Sequence, residues 1–122
     1  MSSVYDLYSR GCALLEKGHP HAACLSLTQA RDAEPEKVSI RVALGQAFFN
    51  SGQITEAAEE FHAAAALAPA DDYSHFGLGL SYSRLGKLTM AARHLKLAIA
   101  MRPDLDAYRQ ALSRVETRRR AR

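Results

Sequence analysis

Residues 42–69 read VALGQAFFNSGQITEAAEEFHAAAALAP, and residues 76–103 read FGLGLSYSRLGKLTMAARHLKLAIAMRP. Laid over one another without a gap, the two stretches pair Gly45 with Gly79, Gly52 with Gly86, Ala57 with Ala91, Ala64 with Ala98 and Pro69 with Pro103. Upstream, Gly11, Gly18, Ala23, Ala30 and Pro35 continue the same five columns at the same step of 34 residues. Five columns in register through three copies do not arise from composition alone. The chain is an array, and an array presents an extended surface rather than enclosing a reaction centre.

Each unit reads as two helices. Val38 to Ser51 has no internal proline and sets Leu44, Ala47 and Phe48 on one face by i, i+3, i+4 spacing. Gly52 ends that helix, and Thr55 to Ala68 forms the next, with Ala57, Phe61, Ala64 and Ala65 facing inward until Pro69 stops it. The third unit repeats the plan with Tyr73 to Leu85, Gly86, Thr89 to Arg102 and Pro103. In the first unit, helix one runs from about Val4 to Lys17, Gly18 turns the chain, and Pro20 opens the second helix where proline is tolerated. Mid-helix Gly45 and Gly79 cost about 1 kcal/mol each relative to alanine. That cost is acceptable where another backbone approaches closely, and Ala23, Ala57 and Ala91 serve the opposing helix in the same way. Large residues (Leu14, Phe48, Tyr82, Leu27, Phe61, Leu95) fill the space beside these contacts.

The pattern resembles the tetratricopeptide repeat family, whose unit of 34 residues carries Leu-Gly, an aromatic, Ala-x3-Phe and a closing proline. Unit two supplies Leu44-Gly45, Phe48, Ala57, Phe61, Ala64 and Pro69. Unit three supplies Leu78-Gly79, Tyr82, Ala91, Leu95, Ala98 and Pro103. Unit one has Arg10 before Gly11, followed by Leu14, Ala23, Leu27, Ala30 and Pro35. The family's leading tryptophan is replaced by Leu7, Arg41 and His75. The resemblance covers residues 4–103 and implies an all-α, right-handed α-solenoid of three helix-turn-helix units with a capping helix. The unit bounds are about 4–37, 38–71 and 72–105, followed by the cap and a basic tail over about 105–122. In the cap, Leu105, Tyr108, Leu112 and Val115 form one apolar stripe on an otherwise polar helix reaching about Arg118. Arg118 to Arg122 are expected to be a frayed tail.

The 122 residues fit one domain. The two cysteines, Cys12 and Cys24, have no metal-ligand spacing and no disulfide framework. No secretory leader is visible after Met1, and no apolar run approaches the roughly 20 residues that span a bilayer, so a cytoplasmic location is expected. The net charge of +3 sits unevenly. The last stretch, 102–122, holds seven arginines against Asp104, Asp106 and Glu116, while the repeats are close to neutral.

In the resembled family, positions 2, 5, 9, 12 and 13 of each unit line an inner groove. Here these are Tyr5, Tyr8, Cys12, Leu15 and Glu16; Ser39, Val42, Gln46, Phe49 and Asn50; and Tyr73, Phe76, Leu80, Ser83 and Arg84. The capping helix adds Gln110 and Arg114. The set is apolar and aromatic at its centre, and exposed aromatics mark recognition surfaces because large rigid side chains bury area at low entropic cost. The competing reading is that some of them fill gaps between neighbouring first helices. The resemblance implies a non-catalytic protein-binding module for an apolar segment or an amphipathic helix. Family members that clamp acidic carboxyl-terminal tails use Lys, Asn and Arg at places held here by Tyr8, Cys12, Ala43, Tyr73 and Gly77, so this chain is not expected to bind such tails.

Other constellations carry less. His19, His21, His62, His75 and His94 form no helical zinc motif, and His75 is expected to pack. Cys24 reads as a small buried hydrophobe and Cys12 as a groove residue. Asp71-Asp72 fit a helix cap, while Glu59-Glu60 read as solvated charges on an outer face. No nucleophile-base pair, phosphate loop or dinucleotide motif is present, so neither catalysis nor a cofactor is expected. Self-association through an open N-terminal face exposing Val4, Leu7 and Leu14 is the alternative, and phosphate contact by the arginine tail is a weaker one.

Overall fold

The computed structural model of the chain describes residues 2–121. Seven helices follow one another: α1 (Val4–Glu16), α2 (Pro20–Ala33), α3 (Val38–Asn50), α4 (Ile54–Leu67), α5 (Asp72–Arg84), α6 (Leu88–Met101) and α7 (Asp106–Arg120). Each helix packs mainly on its sequence neighbours, and the odd-numbered helices also touch in series, α1 with α3, α3 with α5 and α5 with α7. The result is a helical solenoid with the odd-numbered helices side by side.

The helix ends follow from two rules. After α1, α3 and α5 the chain passes through Gly18, Gly52 and Gly86, with φ of 80°, 84° and 80°. Around each, a double hydrogen bond closes the helix. At Gly18, the glycine amide donates to Leu15 O at 3.1 Å and the His19 amide to Leu14 O at 2.8 Å. The even helices end differently. Glu34, Ala68 and Arg102 have φ of −136°, −137° and −135°. Each precedes a proline, whose ring excludes the helical conformation from the residue before it.

The mid-helix glycines make room chiefly for side chains; the neighbouring backbone that the sequence led us to expect approaches at Gly79, where Ala91 O would lie 3.3 Å from an added Cβ. Leu27 lies over Gly11 and Leu95 over Gly79, while the Phe61 ring lies between Gly45 and Gly77. Phe61 is 2% exposed, so this slot is filled.

Two further expectations change. Glu60 is not solvated: it is 5% exposed and accepts from Arg31 Nη1 at 2.6 Å and Arg41 Nη1 at 3.0 Å. It sits one 34-residue step from buried Ser26 and half-buried His94, in a column that faces inward. The N-terminal face differs in part: Leu7 is buried with Ala30 and Ile40, while Val4 and Leu14 are partly buried against core clusters and keep the partial exposure expected of them. Where units two and three bury Ile40, Leu44 and Leu78, unit one exposes Asp6 and Arg10.

At the other end, α7 buries Tyr108, Ala111 and Val115. Ala111 and Val115 join Leu88, Ala91, Ala92 and Leu95 in one cluster, and Tyr108 Oη donates to Asp72 Oδ2 at 2.6 Å. The helix continues through Arg118, Arg119 and Arg120, so these residues are not a frayed tail; Arg122 lies outside the described residues. Arg118 is held by Ser83, and Arg119 bonds Glu116 at 3.4 Å.

Candidate functional site

A cleft of about 590 Å³ lies where α1, α3 and the start of α5 meet. Eight of the residues expected in the groove line it: Tyr8, Cys12, Leu15 and Glu16 from α1, Ser39, Val42 and Gln46 from α3, and Tyr73 from α5. The spacing explains this: positions 5, 9 and 12 of α1 fall on one face of that helix, and α3 presents its own positions 5 and 9 across from them. Val38, Ala43 and Asp71 also line the cleft and were not foreseen. Val38 and Asp71 belong to the first turn of α3 and the lead-in to α5, where the unit pattern carries no groove signal.

The cleft is mixed in character. Tyr8 and Tyr73 are pushed above the ordinary tyrosine range, in both cases first by burial; for Tyr8 the neighbouring Cys12 adds to this and Ser39 opposes it. Both phenols are neutral at physiological pH and offer a ring face and a hydroxyl. The charged side chains on the lining are the carboxylates of Glu16 and Asp71; no cation is among them. Asp71 also caps α5, accepting the Ser74 amide at 3.0 Å.

The remaining expected residues lie elsewhere. Tyr5 is 76% exposed and borders an adjoining, smaller cleft of about 230 Å³ with Val4, Glu34 and Lys37, which shares Tyr8 and Ser39 with the main one. Phe49 carries the Arg84 guanidinium 5.4 Å above its ring centre, and Asn50 is exposed at the end of α3. Phe76 is engaged internally, with its ring 4.6 Å from Tyr108 and 6.0 Å from Tyr73. Leu80 packs with Phe76 against the cluster that α7 closes. In the third unit, then, the capping helix covers much of the inner face. Gln110 and Arg114 are exposed on α7.

The histidines form no ligand trio: among the described residues, no three His, Cys, Asp or Glu side chains gather as a metal site would require. His75 and His94 stack with their Nδ1 atoms 3.1 Å apart, and His75 Nε2 donates to Pro69 O at 2.9 Å. Cys24 is buried, its thiol pushed up by burial. Among the described residues no helix is long and apolar enough to cross a membrane.

A family model described as tetratricopeptide repeat matches residues 8–72 and again 42–106. No curated protein matches the chain in sequence. Among solved structures, the TPR domain of Sgt2 from Aspergillus fumigatus superposes with a TM-score of 0.88 at 22% identity, over 97% of this chain and 80% of that one. MamA from Desulfovibrio magneticus gives 0.91 at 24% identity, over 96% and 66%. The second TPR domain of human RPAP3, solved with the HSP70 peptide SGPTIEEVD, gives 0.86 at 17% identity, over 93% and 98%. At these identities the likeness is one of fold.

Proposed function

Because the chain belongs to the tetratricopeptide repeat family, we propose that it is a non-catalytic protein-interaction module that holds an apolar segment of a partner protein, extended or as an amphipathic helix, in the groove of its odd-numbered helices. The observation that carries this reading is the α1–α3 cleft, where Tyr8, Leu15, Val42 and Tyr73 surround a space of about 590 Å³. That volume accepts one or two large side chains, and rigid aromatic walls contribute area at low entropic cost. Relatives of this fold are seen with peptides, RPAP3 among them.

The chemistry of the cleft argues against an acidic tail. A segment such as SGPTIEEVD would meet Glu16 and Asp71 where it needs cations, at a cost in repulsion and desolvation. Calorimetric titration with that peptide is expected to show no binding in the low micromolar range, and a low-micromolar constant would contradict this assignment.

Selection of a random peptide library on the folded protein tests the groove. Sequences with an apolar anchor should be enriched on the parent protein and lost on the Tyr8→Ala variant. Enrichment that survives Tyr8→Ala would place binding elsewhere. A self-associating scaffold is the second reading, and the exposure of Tyr5 and Leu25, at 76% and 71%, is what favours it. Light scattering separates the two: a monomer mass near 13.4 kDa removes the scaffold reading.

A further inference from the structure

The C-terminal ends of the odd-numbered helices carry one column of exposed residues, Glu16, Asn50, Arg84 and Arg118, each 34 positions after the last. Glu16, Asn50 and Arg84 are the final residues of α1, α3 and α5, and Arg118 lies in the last turn of α7. The column therefore passes from acid through neutral amide to two cations as it crosses the groove. The cations are fastened to its inner side. Arg84 lies over Phe49 of the adjacent helix at 5.4 Å, and Arg118 Nη1 donates to Ser83 O at 3.1 Å and to Ser83 Oγ at 2.8 Å. Asp71, the other carboxylate on the cleft lining, caps the N-terminal end of α5 and is not part of this column. Helix carboxyl termini carry partial negative charge. That charge adds to Glu16 at the α1 end and is offset by Arg84 at the α5 end.

We propose that the groove selects a charge-polarised segment: a Lys or Arg over Glu16, an apolar side chain in the cleft, and an Asp or Glu facing Arg84 and Arg118. This deepens the groove reading above and rests on it. Neighbouring packed helices stand roughly 8–10 Å apart, so α1 to α5 is roughly 16–20 Å. An extended chain advances about 3.3 Å per residue, which sets the basic and acidic residues about six positions apart. The same column fixes direction, because turning the segment round puts like charges together at both ends.

The probe is a fluorescein-labelled peptide, Lys-Lys-Ala-Leu-Ala-Leu-Ala-Glu-Glu, with a control in which Gln replaces all four charged residues. Each exposed ion pair contributes modestly and is screened by salt. The charged peptide is expected to bind about threefold or more tighter than its control at low salt. Glu16→Arg, and Arg84→Glu together with Arg118→Glu, should each remove that preference, and the triple variant should restore it with the peptide reversed. A nitroxide at the lysine end would then broaden α1 amides in the parent protein and α5 amides in the triple variant. All four side chains of the column are exposed, so the variants should fold. Equal binding of both peptides to all these proteins, with loss only on Tyr8→Ala, would overturn the polarity and leave the groove reading standing. No binding of either peptide to the parent protein would overturn both.

Discussion

Glu59 and Glu60 are neighbours in sequence, yet their carboxylates meet opposite surroundings. Glu59 is exposed, while Glu60 is buried between Arg31 of the preceding unit and Arg41 of its own. The sequence hid this because a pair of acids on a helix looks solvated. The signal lay in the columns. Arg41 and His75 stand where the family has its tryptophan, and each bonds the carbonyl of the preceding proline: Arg41 Nε donates to Pro35 O at 2.9 Å and His75 Nε2 to Pro69 O at the same distance. Arg109, one step further on, bonds Pro103 O. Each of the first two then meets a polar partner across its unit, Glu60 for Arg41 and His94 for His75. An inward polar residue thus appears on both helices at once. Truncating Glu60→Ala removes the carboxylate that two half-buried guanidinium groups share and is expected to cost about 2 kcal/mol, less than a fully buried pair because Arg31 keeps Asp32, Arg41 keeps Pro35 O, and both still reach water. Urea unfolding measures it; a loss below about 0.5 kcal/mol would mean that water replaces the carboxylate fully.

The histidine pair makes stability depend on pH. His94 is held below the ordinary histidine range, first by burial and then by His75, with Arg93 and His62 adding to the effect. Tyr82, whose ring lies 5.6 Å away, completes its surroundings. Because His75 Nε2–H is committed to Pro69 O, its Nδ1 accepts from His94 Nδ1–H when both rings are neutral. The folded state therefore favours neutral His94, and the unfolded chain takes up its proton at the higher pH. The contribution is present above about pH 6.5 and is lost as pH falls from there through the folded value. Thermal melts between pH 8 and pH 5 should show Tm declining below about 6.5, with a shallower decline in His94→Gln. Equal slopes would remove His94 as the cause.

At the scale of elements, the helix boundaries were legible to within one or two residues, since positive-φ glycines and pre-proline residues stop helices by local rules. At α7 the helix runs two residues past its expected end at about Arg118, because a run of arginines reads as a solvated tail and the contact of Arg118 with Ser83 is made across 35 positions. Groove positions on α1 and α3 follow from the repeat. The sequence could not show that α7 would lie against Phe76, because that depends on how the cap docks. Gly77 gives the packing a sharp test. An alanine Cβ there would lie 2.6 Å from the Phe61 ring, which Gly45 confines from the other side. Helix propensity favours Gly77→Ala by about 1 kcal/mol, while overpacking a filled core costs about 1–3 kcal/mol. Phe61 is 2% exposed, so the packing cost is expected to win, with a net loss of up to about 2 kcal/mol. Chemical denaturation of Gly77→Ala, alone and with Phe61→Leu, checks this: the second change should recover part of the loss. A stabilised Gly77→Ala would mean that the ring moves freely.

For the molecule as a whole, the repeat gives a scaffold and its departures give the surface. Asp6 and Arg10 keep the N-terminal face polar, and α7 covers the opposite end of the core. Between them the inner face is mixed in character at the α1–α3 cleft, with Leu15 and Val42 beside two tyrosines, and charged along its edge. We propose that a partner segment binds on this inner face. Amide chemical-shift mapping, during titration with a peptide selected on the folded protein, is the decisive test. The largest shifts are expected at Tyr8, Cys12, Val42, Gln46 and Tyr73, with α2, α4 and α6 little changed. Shifts confined to the even-numbered helices, or to Tyr5 and Leu25, would contradict it.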